Sequence, residues 1–166
     1  MRQTTRKITQ AAVIAALYAA ITMAIAPFGF GPWQLRVSEA LTVLPYYTTV
    51  AVPGLFVGCL LANLISSYGL LDIVFGSLAT LVAAALTTRI KRRWLVPLPS
   101  VLINAVVIGA VIAYSSVGTP DEGPFLLFAA QVGLGQLLSC YGLGMPLMLV
   151  LDRLKDKLKW TEETTR

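Results

Sequence analysis

The chain has 166 residues, of which 57% are hydrophobic and 13% charged, with a net charge of +5. A soluble domain carries about 25% charged residues, so this composition excludes an ordinary water-soluble fold and makes a lipid bilayer the natural solvent. The basic residues sit in short clusters at the ends of apolar runs, a distribution that sets membrane orientation and argues against nucleic acid as a partner.

An apolar helix needs about 20 residues to cross the hydrocarbon core. The first predicted span covers residues 8–26 and ends before Pro27-Phe28-Gly29. No convincing cleavage site follows it and further apolar runs do, so it reads as a retained helix and not as a signal segment. The loop from Phe28 to Gln34 is rich in glycine, proline and aromatics. A shorter helix is predicted over 37–50, and Pro53 starts a third over 53–66. The Ser66-Ser67-Tyr68-Gly69 turn leads to a fourth span at 70–88, which ends in Arg89-Ile90-Lys91-Arg92-Arg93. The fifth covers 97–115, a polar loop follows, and the sixth covers 125–151 before a charged tail. The second and third spans are short enough to form a re-entrant pair instead, which is tolerated only when buried in protein.

Charge supports six crossings. With the N-terminus inside, 12 of the 13 basic residues fall on the cytoplasmic side and only Arg36 does not. Five or seven crossings put a basic cluster on the wrong side. The expectation is therefore an all-α integral membrane bundle of six transmembrane helices in one domain, residues 1–166, multi-pass in the cell membrane, with both termini cytoplasmic.

The chain contains no histidine, which removes histidine-based metal sites and His-dependent triads. Cys59 and Cys140 show no metal spacing and no disulfide framework. There is no Gly-x-x-x-x-Gly-Lys-Ser/Thr sequence, so ATP hydrolysis by this chain is not expected. No catalytic residue, metal or cofactor is expected.

Polar groups within or beside apolar spans cost several kcal/mol unless paired or facing a cavity. On this topology Arg36, Glu39, Asn63 and Asp72 lie toward the outer face, while Asn104, Gln131 and Gln136 lie deeper. A one-sided distribution of this kind points to a cavity open to the outside. Each residue also has a local reading. Arg36 and Glu39 are three apart and able to pair on one turn, Asp72 is placed to cap the fourth helix, and amides hold helices together. Carboxylates and amides read the edge of a planar nitrogen heterocycle, and Trp33, Phe28, Phe30 and Tyr46 are placed to stack on one, although aromatics at span ends also form interfacial belts. On the first helix Ala12, Ala16, Ala20 and Ala24 form one stripe, flanked by Ala11, Ala15 and Ala19, which allows close approach of another helix.

The stretch Gln34-Leu35-Arg36-Val37-Ser38-Glu39-Ala40-Leu41-Thr42-Val43-Leu44-Pro45, continued by residues 52–63 and 70–81, resembles the queuosine-precursor transporter family (QueT). Members of that family are the substrate-binding (S) components of energy-coupling-factor (ECF) transporters. The resemblance runs from the first helix to Leu151, and its middle block is the specific part. It implies a six-helix bundle that binds a 7-deazaguanine base, queuine or a pre-queuosine base, at the extracellular side. It also implies docking, through the alanine face of the first helix, onto a transmembrane coupling protein that joins two cytoplasmic ATPases. On this chain the docking role falls to Ala12, Ala16 and Ala20. The binding role falls to Arg36, Glu39, Asn63, Asp72 and Asn104, with Gln131, Gln136 and Trp33 as further candidates. The Phe28 to Gln34 loop is expected to close over the ligand.

The sixth span departs from the family pattern. Gly135-Gln136 stands where a carboxylate is expected after glycine, which favours a neutral base over an amine-bearing one. Three other readings remain open at this point: an intramembrane enzyme using Glu39 and Asp72 as acid and base, a structural protein whose polar residues only fix packing, and an S component for a different ligand.

Overall fold

The computed structural model describes residues 2–30, 34–117 and 122–158. Among these residues every regular element is helical and none is a strand. Helix α1 is Arg2–Ala24, followed by a four-residue turn of helix at Ala26–Gly29. A 3-10 segment occupies Val37–Tyr46. Helix α2 is Ala51–Asn63, α3 is Gly69–Thr87 and α4 is Leu98–Val117. Helix α5 runs over 122–158 as three consecutive pieces, Glu122–Gln136, a π segment at Leu137–Leu143, and Gly144–Leu158.

Among the described residues, four helical stretches are long and apolar enough to cross a membrane: Gln3–Ala24, Gly69–Thr87, Arg93–Ser116 and Pro124–Leu154. Ala51–Asn63 is apolar but shorter. Its 13 residues reach about 20 Å at ~1.5 Å per residue, less than the ~30 Å hydrocarbon core. The segment predicted as a second helix is 3-10 in character, and ten residues is long for that geometry.

The fold turns the usual soluble pattern inside out. Leu17, Val57, Leu61, Leu78, Val82, Leu102 and Leu138 point outward, while Thr22, Ser38, Glu39, Thr42, Asn63, Asp72 and Ser139 are buried. Lipid rewards burial of apolar side chains little, so helices in it associate through close packing and hydrogen bonds. The α1–α2 contact shows the packing part. A Cβ at Gly58 would lie 2.8 Å from the Ala15 carbonyl oxygen and 2.8 Å from Tyr18 Cβ, so only glycine admits α1 this closely. Ala15 and Ala19 face inward on that side, whereas Ala12, Ala16 and Ala20 are exposed. The alanines thus divide into a packing face and a free face.

Two apolar clusters stand beside the polar interior. The larger joins Tyr18, Val43, Leu55, Cys59, Val96 and Met148 across α1, the 3-10 segment, α2 and α5, and the smaller joins Ile108, Ile112 and Val132 between α4 and α5. At the end of the bundle where the 3-10 segment finishes, Arg93 Nη1 meets Asp152 Oδ2 at 2.6 Å and the Tyr47 hydroxyl donates to Asp152 Oδ1 at 2.8 Å. This ties the connection after α3 to α5 and to the foot of the 3-10 segment.

Candidate functional site

The polar residues of the opposite end are assembled by the irregular helices. A 3-10 helix has three residues per turn, so side chains at i and i+3 eclipse. Arg36 at the N-cap, Glu39 and Thr42 therefore stack in one column, and all three are buried. Asp72 opens a π turn, Asp72–Gly76, at the start of α3. Asn63 Nδ2 donates to the backbone carbonyl of Asp72 in this turn. A Cβ at Gly76 would lie 2.7 Å from Asp72 Oδ1 and 2.8 Å from Asn63 Nδ2, so a larger residue there would press on both side chains.

One group is built on Arg36. Its Nη2 donates to Asp72 Oδ2 at 3.1 Å, its Nη1 to Asn63 Oδ1 at 3.0 Å, and its Nε to the Gly29 carbonyl at 3.1 Å. The guanidinium carbon lies 4.8 Å from the centre of the Phe30 ring, a cation–π contact. Asn63 Nδ2 donates to the Asp72 backbone carbonyl at 2.9 Å, and Ser66 Oγ donates to Asp72 Oδ2 at 2.5 Å. Arg36 therefore clamps the turn after α1, the end of α2 and the start of α3. Asp72 Oδ2 is doubly engaged, while Asp72 Oδ1 is buried with no hydrogen-bond partner among the described residues.

A second group is built on Glu39. The Tyr18 hydroxyl donates to Oε1 at 2.5 Å, and Asn104 Nδ2 approaches Oε2 at 3.4 Å. Cys140 Sγ lies 3.7 Å from the Glu39 carbonyl and 3.4 Å from Gln136 Oε1. Thr42 Oγ1 donates to the Glu39 carbonyl at 2.6 Å. Glu39 thus links α1, α4 and, through Cys140, α5. Gln136 immediately precedes the π segment of α5 and Cys140 lies within it, while Glu39 sits in the 3-10 segment and Asp72 in the π turn of α3, so both carboxylates belong to places where a helix departs from α geometry.

The sequence-derived candidates fall into these two groups with clear exceptions. Arg36, Asn63 and Asp72 form the first, and Glu39, Asn104 and Gln136 the second. Gln131 is half-buried, its Oε1 has no partner, and no hydrogen bond among the described residues joins it to either group. Trp33 lies outside the described residues, as do Gly31 and Pro32 of the expected lid. Tyr46 does not belong with the site. It stands edge-on to Tyr47, ring centres 5.2 Å apart, ten residues along the 3-10 segment from Arg36. The expected local pairs also differ. Arg36 bonds Asp72, 36 positions away, and not Glu39, while Asp72 makes no side-chain N-cap bond. The buried residues Tyr18 and Gln34 and the half-buried Ser66 carry parts of the arrangement that spacing did not reveal. Gln34 was legible only as a polar residue closing a glycine-rich loop. Among the described residues no three His, Cys, Asp or Glu side chains converge to hold a metal ion.

Among the described residues the two groups gather a guanidinium, two carboxylates and three amides into a buried polar interior, which is equipment for hydrogen bonding.

Comparison with known proteins places the chain in a family. The family model described as "QueT transporter" matches residues 8–153. The chain is 33% identical over 84 residues to the "Queuosine precursor transporter QueT" of Lactococcus lactis subsp. cremoris (strain MG1363), a match that covers 49% of this chain and 49% of that protein. The aligned stretch thus spans about half the length of that curated relative. No solved structure matches the chain.

Proposed function

The chain belongs to the QueT transporter family, and from that premise we propose that it is the substrate-binding S component of an ECF importer for a queuosine precursor. It is a multi-pass membrane protein of a transporter family and not an enzyme. The cargo in this reading is a 7-deazaguanine base, queuine or a pre-queuosine base; the Lactococcus lactis relative is named as a transporter of a queuosine precursor.

The observation that carries the reading is the half-used carboxylate of Asp72. Oδ2 is held by Arg36 and Ser66, while Oδ1 is buried and unpartnered. An unpaired carboxylate oxygen in the interior is costly, and a ligand N–H donor offsets that cost. Glu39 has a partner on each oxygen, so Asp72 takes the ligand's donors and Glu39 frames the pocket. Arg36 and Asn63 hold Asp72 in place, and Asn104 and Gln136 form the neutral deeper wall. The uncharged Gln136 favours a neutral base over one bearing an aminomethyl group.

The bundle crosses the membrane six times in this reading, with both termini cytoplasmic. The 3-10 segment and α2 are two short crossings in it. The exposed face of Ala12, Ala16 and Ala20 docks onto a transmembrane coupling protein, and two cytoplasmic ATPases of the same module drive import.

The test is calorimetric titration of the detergent-purified chain, freed of endogenous ligand, with queuine and the pre-queuosine bases, using guanine and thiamine as controls. Saturable, selective binding of a deazaguanine that is lost in Asp72→Asn supports the reading. A well-folded chain that binds no deazaguanine overturns the cargo assignment.

A further inference from the structure

Gln34 stands out among the described residues on two independent counts. It is 1% exposed, yet neither its Oε1 nor its Nε2 has a hydrogen-bond partner. It is also the non-glycine residue with positive φ, at 46°, a conformation that side chains with a Cβ adopt at a cost. Buried amides are almost always paired, and an unpaired one calls for a reason. Packing supplies none, because leucine is of similar size and would fill the same space without stranding a donor and an acceptor.

Its position supplies one. The Gln34 carbonyl accepts from the Arg36 backbone N–H at 2.9 Å, which folds the chain tightly into the Arg36 N-cap. Arg36 in turn holds Asp72, whose Oδ1 is the other buried, unpartnered acceptor of this group. A primary amide presents one donor and one acceptor side by side. A carboxylate oxygen adds a second acceptor. Facing one ligand, such atoms would complement a planar edge that carries a carbonyl, a ring N–H and an exocyclic amine in succession, the 2-amino-4-oxopyrimidine edge of a guanine-like base.

We infer that Gln34 is a specificity-determining residue of the ligand site, its amide pairing bidentately with the carbonyl and adjacent ring N–H of a 2-amino-4-oxopyrimidine-fused base while Asp72 Oδ1 accepts from the exocyclic amine. This rests on the reading of the chain as a deazaguanine-binding component and names the atoms that read the base. Bidentate amide pairing of this kind discriminates between base edges by about 10- to 100-fold, and a site built to pair such groups rejects analogues that leave them unpaired.

The experiment uses the full chain in detergent, freed of endogenous ligand, with three probes: 7-deazaguanine, 2-amino-7-deazapurine (carbonyl removed, so that one of the two amide bonds is lost in either orientation of the amide) and 7-deazahypoxanthine (no exocyclic amine). Gln34→Leu is expected to bind 7-deazaguanine about 10- to 100-fold more weakly, to lose the preference for 7-deazaguanine over 2-amino-7-deazapurine, and to unfold at a higher temperature than the unaltered chain. Asp72→Asn is expected instead to reduce the preference for 7-deazaguanine over 7-deazahypoxanthine. Gln34→Gly, which suits the positive φ, serves as a second variant in case leucine does not fold, and is expected to show the same loss of preference. Unchanged affinity and preference in the Gln34 variants, beside an unaltered chain that binds 7-deazaguanine, overturns the inference and leaves the transport reading standing. Weaker binding with unchanged preference and a lower unfolding temperature assigns Gln34 a structural role and also overturns it. An unaltered chain that binds none of the three probes overturns both.

Discussion

Arg36 and Asp72, 36 positions apart in the chain, meet at 3.1 Å between Nη2 and Oδ2 with both side chains buried. The pair fastens the 3-10 segment to α3, and the same guanidinium reaches Asn63 on α2 and the Gly29 carbonyl. Removing one partner of a buried pair leaves an uncompensated charge, at a cost of about 3–5 kcal/mol. Arg36→Ala is therefore expected to lower thermal stability in detergent by that amount and to abolish ligand binding. Arg36→Lys is expected to recover only part of both, because one ammonium cannot reproduce the planar fork that reaches three acceptors. Equal stability of Arg36→Ala and the unaltered chain would contradict the clamp.

Tyr18 holds Glu39 through a 2.5 Å hydrogen bond from α1. Tyr18→Phe keeps the ring in the apolar cluster and removes only the donor. Leaving a buried acceptor short of a partner costs about 1–3 kcal/mol. The variant is expected to unfold at lower temperature and to bind ligand less tightly than the unaltered chain, while retaining the helical content read by circular dichroism. Loss of helical content would place Tyr18 in the fold itself and not in the site's frame.

Gly58→Ala tests the packing of α1 on α2. The added Cβ would sit 2.8 Å from both the Ala15 carbonyl oxygen and Tyr18 Cβ. Overpacking of this kind costs about 1–3 kcal/mol. Displacement of Tyr18 is expected to reach Glu39, so the thermal midpoint and ligand affinity should fall together. A midpoint that drops with affinity unchanged would show that α1 yields without moving the Tyr18 hydroxyl.

Ala16→Trp tests the proposed docking face. Ala16 is exposed on the stripe that includes Ala12 and Ala20, so the fold has room for the larger side chain. The variant should match the unaltered chain in base affinity and thermal midpoint. In cells or vesicles that contain the coupling protein and ATPases, uptake should drop at least tenfold. Full uptake would move the docking surface elsewhere.

Asp152→Asn tests the tie at the other end of the bundle. Arg93 and Asp152 are 39% and 32% exposed, and exposed ion pairs contribute about 0–1 kcal/mol. A thermal midpoint within a few degrees of the unaltered chain is expected, with a difference that shrinks as salt rises. A drop as large as that of Arg36→Ala would mean that this contact holds the bundle together.

The sequence by itself determined the solvent, the helical class and the placement of the apolar stretches. Twenty-odd apolar residues in a row have few other destinations than a membrane-crossing helix, since backbone polar groups in lipid must be satisfied within the segment. The boundaries at Gly69, Thr87 and Leu98 follow from glycine, basic residues and proline around them. It also made Arg36, Glu39, Asn63, Asp72, Asn104 and Gln136 visible, because a polar side chain in an apolar run needs a partner or a cavity.

Only the tertiary structure decided which of these residues meet. Periodicity suggested Arg36 with Glu39, but the 3-10 turn stacks them along one column while Asn63 and Asp72, brought up by the end of α2 and the π turn of α3, claim the guanidinium. Hydropathy does not distinguish α from 3-10 or π geometry, since these differ by fractions of a residue per turn. The free Oδ1 of Asp72 and the unpaired amide of Gln34 were out of reach for the same reason. Whether a buried polar atom has a partner depends on helices dozens of residues away, and spacing along one chain carries no such information.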